Sequence, residues 1–485
     1  METVAQPAAA AALTSAQTAV WLSLKCAPPD HNFNCAEAVD IRGEIDLAQL
    51  LAAMQTVADE SESARLLLLD SEQGPRQILA PCFSGELPYL DFSREPDADG
   101  AAQAWMRADF NRAIDVTRGR PWLSALLRTA RDRYTWYHRS HRILLDDSDG
   151  GRMASRLAAV YSALSKNDAV PPADPFLSIT RRLQEESVYR ASERYPRDRQ
   201  YWMERLRDAP APLSLATQRP ADGAGMLRQT VCFPAAGVNA LQGFAGKLNL
   251  PLPQLLTAVT AAFLYRATGV ADMLIGVTVK TAGVLPLRLA LGADLSLEQL
   301  MREVGWQMRK ISQHQCYPCA DLHADLQRPP GQQPLFRTVI NVESYPGQLH
   351  FGSHPASLRK LAAGSVEDLA ITIHERGAGQ DLQIDFDANP ALHCAQMLAE
   401  HQRRLLTFMA AATHSPAQKI GQLTLCDATG RRHMPETWQD TGHAATESSL
   451  AARIEEQLAR AGPAMTPRFE GEAPPPRLAV KSSPN

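Results

Sequence analysis

Residues 137–157, YHRSHRILLDDSDGGRMASRL, gather more titratable groups beside an apolar run than any other segment. His138, His141, Asp146, Asp147 and Asp149 are residue types that bind divalent metals or move protons. Their spacing argues against a metal. On a strand His138 and His141 point to opposite faces, and Gly151 stands where an alternating calcium loop needs its third ligand. The alternatives are proton chemistry, or a strand, a capped turn and a helix with no chemistry of their own. Trp136, Tyr137, Ile143, Leu144 and Leu145 give the strand its character, and DDSDGG supplies turn and N-cap residues. Met153, Leu157 and Val160, or Tyr161 and Leu164, then form the apolar face of the helix.

A second constellation is Cys316 and Cys319 in HQCYPCADLH, with His314 and His323 nearby. CxxC is half of a zinc or redox site, and no second CxxC exists to complete it. Two packed cysteines flanking a turn proline are expected instead. The eight cysteines are scattered, so most are expected to be small buried apolar residues rather than a disulfide framework. No metal or bound cofactor is expected.

These residues must be carried by a large scaffold. At 485 residues the chain exceeds one ordinary core. Hydrophobic periodicity predicts helices at 13–24, 47–61, 101–114 and 150–165, and strands at 36–46, 64–70 and on both sides of the turn ARDR. SKNDAVPPADPFLS, 165–178, reads as an interlobe linker. Beyond it, helices are predicted near 198–207, 236–248, 251–267 and 296–314. Strands are predicted near 227–233, 273–280, 284–289, 337–343, 367–375 and 381–386. Helices and strands mix in both halves, so the fold class is mixed α/β (α+β) in two lobes. The end of the chain is proline-rich with few apolar residues and is expected to be disordered.

Lys and Arg total 49 against 53 Asp and Glu, a net charge of -4, which gives no footprint for a nucleic acid. The N-terminus lacks a basic start and an apolar centre, and no run reaches the ~20 apolar residues of a membrane span. A cytoplasmic protein with reduced thiols is expected.

WYHRSHRILLDDSDGGRMASRLAAVY resembles the core motif of nonribosomal peptide synthetase condensation domains, HHxxxDG at the end of a strand before a helix. Further segments follow in the family's order: LTSAQTAVW, IRGEID, ESAR, DVTRGRPWLSALLR, DRQYWMERL, LPLRL, HQCYP and SVEDLAITI. The resemblance implies two chloramphenicol-acetyltransferase-like lobes in a V-shaped pseudo-dimer. The N-terminal lobe would span 12–170 after a flexible 1–11, and the linker and C-terminal lobe 171–430. The tail, 431–485, is similar to the start of an adenylation domain. Phosphopantetheine arms of partner carrier domains would meet at the motif, where the family's second histidine positions or deprotonates the attacking amine and the aspartate is structural.

Here the motif reads His141, Arg142, then Asp146 and Asp147, so arginine replaces the second histidine and aspartate the glycine. An arginine side chain cannot take a proton from an amine as neutral imidazole can. A compensating Arg142–Asp147 pair is expected, with Asp146 buried against a basic partner such as Lys280. Only TAG separates the strands around 273–280 and 284–289, where the family has a longer segment lining the tunnel. The form HRxxxDD resembles the X-domain, a condensation relative that has lost peptide-bond formation. The first reading is therefore a catalytically inactive module that recruits, in trans, a carrier domain or a tailoring oxygenase such as a cytochrome P450 or hydroxylase. The alternative is a divergent condensation enzyme that joins carrier-bound acyl and aminoacyl units by amide or ester formation.

Overall fold

In the first half, strand β1 (Ala11–Ala12) and helix α1 (Ser15–Cys26) precede β2 (Asn34–Arg42), α2 (Leu47–Glu60) and α3 (Glu62–Arg65). Then come β3 (Leu66–Ser71), β4 (Gly74–Leu79), β5 (Tyr89–Asp91), α4 (Ala98–Phe110) and the hairpin β6 (Trp122–Ala130) and β7 (Arg133–His141). A 3-10 turn, Arg142–Leu144, leads toward α5 (Asp149–Lys166), and α6 (Ile179–Arg190) and α7 (Arg194–Leu206) connect the halves. The second half begins with β8 (Leu227–Phe233), α8 (Ala235–Leu248), α9 (Leu252–Thr268), β9 (Asp272–Val279), β10 (Gly283–Ala290) and α10 (Leu297–Gln313). It continues through α11 (Cys319–Asp325), β11 (Thr338–Ser344), β12 (Leu349–Phe351), β13 (His354–Ala363), β14 (Leu369–Glu375), β15 (Leu382–Ala388) and α12 (Ala395–His414).

The computed structural model describes residues 10–26, 33–72, 74–119, 121–144, 149–173, 178–216, 226–279, 283–327, 334–344, 349–364, 366–377, 379–414 and 417–425. Asp146, Asp147, Lys280 and the tail from 431 lie outside these residues, as does the expected Arg142–Asp147 pair.

The fold is mixed α/β in two lobes, each built on a sheet. Among the described residues the first sheet has the order β12-β13-β2-β7-β6-β5 and the second β10-β9-β11-β14-β15-β8. A small sheet, β1-β4-β3, stands beside the first. Leu50, Met54 and Val57 of α2 and Leu157, Val160 and Tyr161 of α5 cover the first sheet, following the spacing read from sequence. The second sheet is covered by α8, α9, α10 and α12, and α9 is buried along most of its length. A capping box, Ser296 with Gln299, starts α10 by satisfying backbone donors on both sides of the cap.

A boundary at 170 assigns 349–363 to the second lobe, whereas the sheet topology places β12 and β13 in the first. β13 pairs antiparallel with β2, and the Arg359 guanidinium donates to Asp40 of that strand at 2.5 and 3.0 Å. The crossing strand also stays tied to the second sheet. Lys360 pairs with Glu343 at 2.7 Å, and Arg228, itself paired with Asp387 at 2.6 Å, donates to the Lys360 carbonyl at 2.5 Å.

Three further expectations are corrected. The six cysteines whose burial is described are half-buried (Cys35, near the start of β2) or exposed (Cys82, Cys232, Cys316, Cys319 and Cys394), the exposed ones because they sit in loops, on an edge strand or at helix ends rather than on core faces. Helix α12 is missing from the predicted elements, although Leu398, Leu405, Phe408, Met409 and Ala412 form its buried stripe. So is α6, whose buried residue is Ile179 alone. Among the described residues no single helix is long and apolar enough to cross a membrane.

Candidate active site

Strand β7 lies between β2 and β6, so both its edges are hydrogen-bonded and its side chains alternate cleanly. His138 stacks on Trp136 with ring centroids 5.7 Å apart. Tyr137, Arg139 and His141 take the other face, which separates the two histidines as the spacing predicts. Arg139, 1 % exposed, reaches Asp109 at 2.7 Å, and the Tyr137 hydroxyl donates to the same carboxylate at 2.8 Å. Among the described residues no three His, Cys, Asp or Glu side chains gather as metal ligands.

His141 ends the strand and shapes the 3-10 turn after it. Its backbone N–H donates to the Pro121 carbonyl at 2.7 Å, and that of Arg142 to the Phe33 carbonyl at 2.9 Å. The Ile143 N–H then donates to His141 Nδ1 at 3.1 Å. Nδ1 is therefore an acceptor, and the neutral ring carries its proton on Nε2. Burial, with the Arg139 charge added, holds His141 down to about 4 and His138 down to about 3. Both are neutral at physiological pH. Ile143 and Leu144 are buried, which anchors the turn and leaves Arg142 half-buried beside it.

The side chain of Arg142 runs toward the second half of the chain. Gly364, at φ +80°, lies against it: a Cβ there would sit 3.9 Å from Arg142 Cδ and 3.4 Å from Cys35 Sγ. Its charge also acts on Cys319 and Glu367. Both residues retain solvent contact, yet protein atoms crowd their reactive groups. That crowding pushes the Cys319 thiol up to about 11, Arg142 acting in the opposite sense, so Cys319 is a thiol and not a thiolate at neutral pH. It likewise raises the Glu367 carboxyl above its ordinary 4.5, against the opposing charges of Arg337 and Arg142.

Glu367 has a fixed backbone. The next residue, Asp368, is fully buried and pairs with fully buried His393 at 2.5 Å. The Asn389 N–H donates to the Asp368 carbonyl at 2.9 Å, and the Asn389 side-chain amide to that of Glu367 at 3.1 Å. In the bend before β14 Asp368 is buried and Glu367 is exposed. The structure thus places Gly364 of the second half against Arg142, whose charge acts on Cys319 and Glu367 of that half. The segments holding Cys319, Gly364's neighbours and Glu367 stand out in the sequence, but no local signal connects them to Arg142.

A family model described as "Condensation domain" matches residues 8–434. The chain belongs to the condensation-domain family. It is 31% identical over 458 residues to a dimodular nonribosomal peptide synthase of Bacillus subtilis (strain 168), covering 92% of this chain and 19% of that protein. It is 32% identical over 430 residues to an isonitrile lipopeptide synthase of Streptomyces coeruleorubidus, covering 86% and 29%. The condensation domain thus spans less than a third of the length of either synthetase. Among solved structures it resembles a doubly substituted starter condensation domain of rhizomide synthetase RzmA in complex with C8-CoA and Leu-SNAC. There the TM-score is 0.79 at 33% identity, with 86% of this chain and 98% of that one covered. The first condensation domain of the calcium-dependent antibiotic synthetase, in complex with a substrate analogue, gives 0.78 at 27% identity, covering 87% and 100%.

Proposed function

We propose that this condensation domain joins two units carried as thioesters on phosphopantetheine arms, an acyl donor and an aminoacyl acceptor, by forming an amide within a nonribosomal peptide assembly line. The observation that carries this reading is the convergence of both halves of the fold at Arg142, where charged groups and a thiol border the turn that ends β7. A closed, apolar remnant would not keep such groups there. The solved relative that holds C8-CoA and Leu-SNAC supports a fatty-acyl donor and an aminoacyl acceptor. With an arginine at 142, rate must come from holding the two thioesters in attack geometry and from stabilising charge, which together account for large accelerations without an imidazole base.

One observation favours the second reading, recruitment without catalysis: Arg142 cannot serve as a base. The synthetases and starter domains above weigh toward catalysis instead. The test is to mix the protein with one carrier loaded with an octanoyl thioester and another loaded with an aminoacyl thioester. Mass analysis of the acceptor arm should show the acylated aminoacyl unit. Its absence across a panel of acyl and aminoacyl pairs, with intact binding of a tailoring oxygenase, would favour recruitment.

A further inference from the structure

Helix α1 belongs to the first half, yet it packs against α11 of the second half as well as against the 3-10 turn Arg142–Leu144. Val20, Trp21 and Leu24 of α1 share one apolar cluster with Ile143 and Leu144 of that turn. The start of α1 is rigid. Thr14 Oγ1 accepts from the Gln17 N–H at 3.2 Å and Gln17 Oε1 from the Thr14 N–H at 2.9 Å, a capping box whose two side chains are buried. Gln17 also donates to Gln77 at 2.8 Å, which ties α1 to the small sheet of its own half.

Ser15, the first residue of α1, reaches the connecting helices. Its N–H and its hydroxyl donate to the Glu186 carboxylate of α6 at 3.0 and 3.1 Å. The Ser15 hydroxyl oxygen also accepts from Arg190 Nη2 at 3.0 Å. The same guanidinium pairs with Asp321 of α11 at 2.7 Å through Nη1 and donates to it at 3.2 Å through Nη2. It lies over the Tyr195 ring, 5.6 Å from the centroid, and the Tyr195 hydroxyl donates to Asp321 at 2.8 Å. One planar fork thus holds α1 and α11 at once, in a geometry that a point charge would not fix.

Resting on the amide-forming reading above, we propose that Arg190 is a positioning residue for the reaction. By clasping Ser15 and Asp321 it fixes α11 of the second half against α1, and through α1 it fixes the turn that presents Arg142. The two thioester arms must be held in attack geometry, and a misplacement of about 1 Å can cost roughly 10²-fold in rate. The Arg190 and Asp321 side chains are 42 % and 24 % exposed, so the pair adds little to folding stability. What it supplies is registration between elements of the two halves.

Single-turnover amide formation from saturating octanoyl-loaded and leucyl-loaded carriers tests the assignment in wild type, Arg190→Gln, Asp321→Asn and the double variant. Each single change should lower the rate by about 10- to 10²-fold. The double variant should be no slower than the slower single one, because both changes disable the same clasp. Arg190→Lys, which keeps the charge and loses the fork, should fall between wild type and Arg190→Gln. Half-saturation for either carrier and the melting temperature should stay as in wild type. The Arg142 and Ile143 amides, bonded to the Phe33 carbonyl and to His141 Nδ1, should exchange hydrogen faster in Arg190→Gln while the β7 amides do not change. Rates within a few-fold of wild type overturn the assignment and leave the condensation reading standing. So does a rate loss accompanied by a rise in half-saturation or a fall in melting temperature, which would make the cluster a carrier contact or a plain stabilising pair. No turnover by wild type with any loaded pair overturns both.

Discussion

Replacing His141 with asparagine should flatten the acid sensitivity of the fold by a calculable amount. In the native protein His141 is neutral, its Nδ1 accepting from the Ile143 N–H, and burial together with Arg139 lowers it from 6.5 to about 4. The unfolded chain therefore binds a proton that the native state does not, and stability falls as pH drops below 6.5 until the native group itself protonates near 4. At pH 5 the loss is about 2 kcal/mol from this residue, at roughly 1.4 kcal/mol per unit of separation. His138, lowered from 6.5 to about 3 by burial and then Arg139, adds a loss of similar size over the same window. Together they remove about 4 kcal/mol of the 5–15 kcal/mol typical of a domain. An asparagine oxygen can accept from the same amide but does not titrate. Urea unfolding at pH 7.5 and 5.0 should show wild type losing about 2 kcal/mol more than His141→Asn across that interval. The variant's absolute stability will be lower at both values because the ring contact with Phe33 is gone. Identical pH dependence in the two proteins would refute the assignment of a neutral, amide-bonded imidazole.

Asp368→Ala strands fully buried His393 beside the segment that carries Glu367. It should cost about 3–5 kcal/mol in urea unfolding. Asp109→Ala removes a carboxylate from Arg139, which is 1 % exposed, and should also be strongly destabilising, at the low end of about 3–5 kcal/mol because Arg139 keeps other interactions. Gly364→Ala forces a side chain into left-handed backbone at φ +80°, at a cost of about 1–2 kcal/mol, while its methyl meets Cys35 and Arg142 only at ordinary contact distance. A melting temperature unchanged by any of these would contradict the packing described.

Elements with their own periodic signal were legible in the sequence. The β6 and β7 hairpin flanks a charged turn with apolar runs, and α5 repeats its apolar residues at helical spacing. Helix α6 had no such signal, since it is held by polar contacts such as Glu186 to the Ser15 N–H at 3.0 Å rather than by an apolar stripe. β4 begins Gly-Pro, a turn signature, and β13 carries a bulge between Lys360 and Ala362, so neither alternates cleanly. The site divides the same way. His141 and Arg142 belong to a contiguous motif, whereas Gly364 reaches Arg142 only because the crossing strand β13 before it pairs with β2 in the first sheet. Long-range pairing of this kind leaves no local trace.

The central claim is that this domain forms an amide with an arginine where an imidazole is expected. It is tested most directly by quenched single-turnover mass analysis of wild type and Arg142→Ala, each saturated with acyl-loaded and aminoacyl-loaded carriers. If Arg142 steadies the oxyanion, wild type forms the amide and Arg142→Ala forms it about 10²–10³-fold more slowly, with carrier binding unchanged. Equal rates in the two proteins, or no amide from either, would contradict the account.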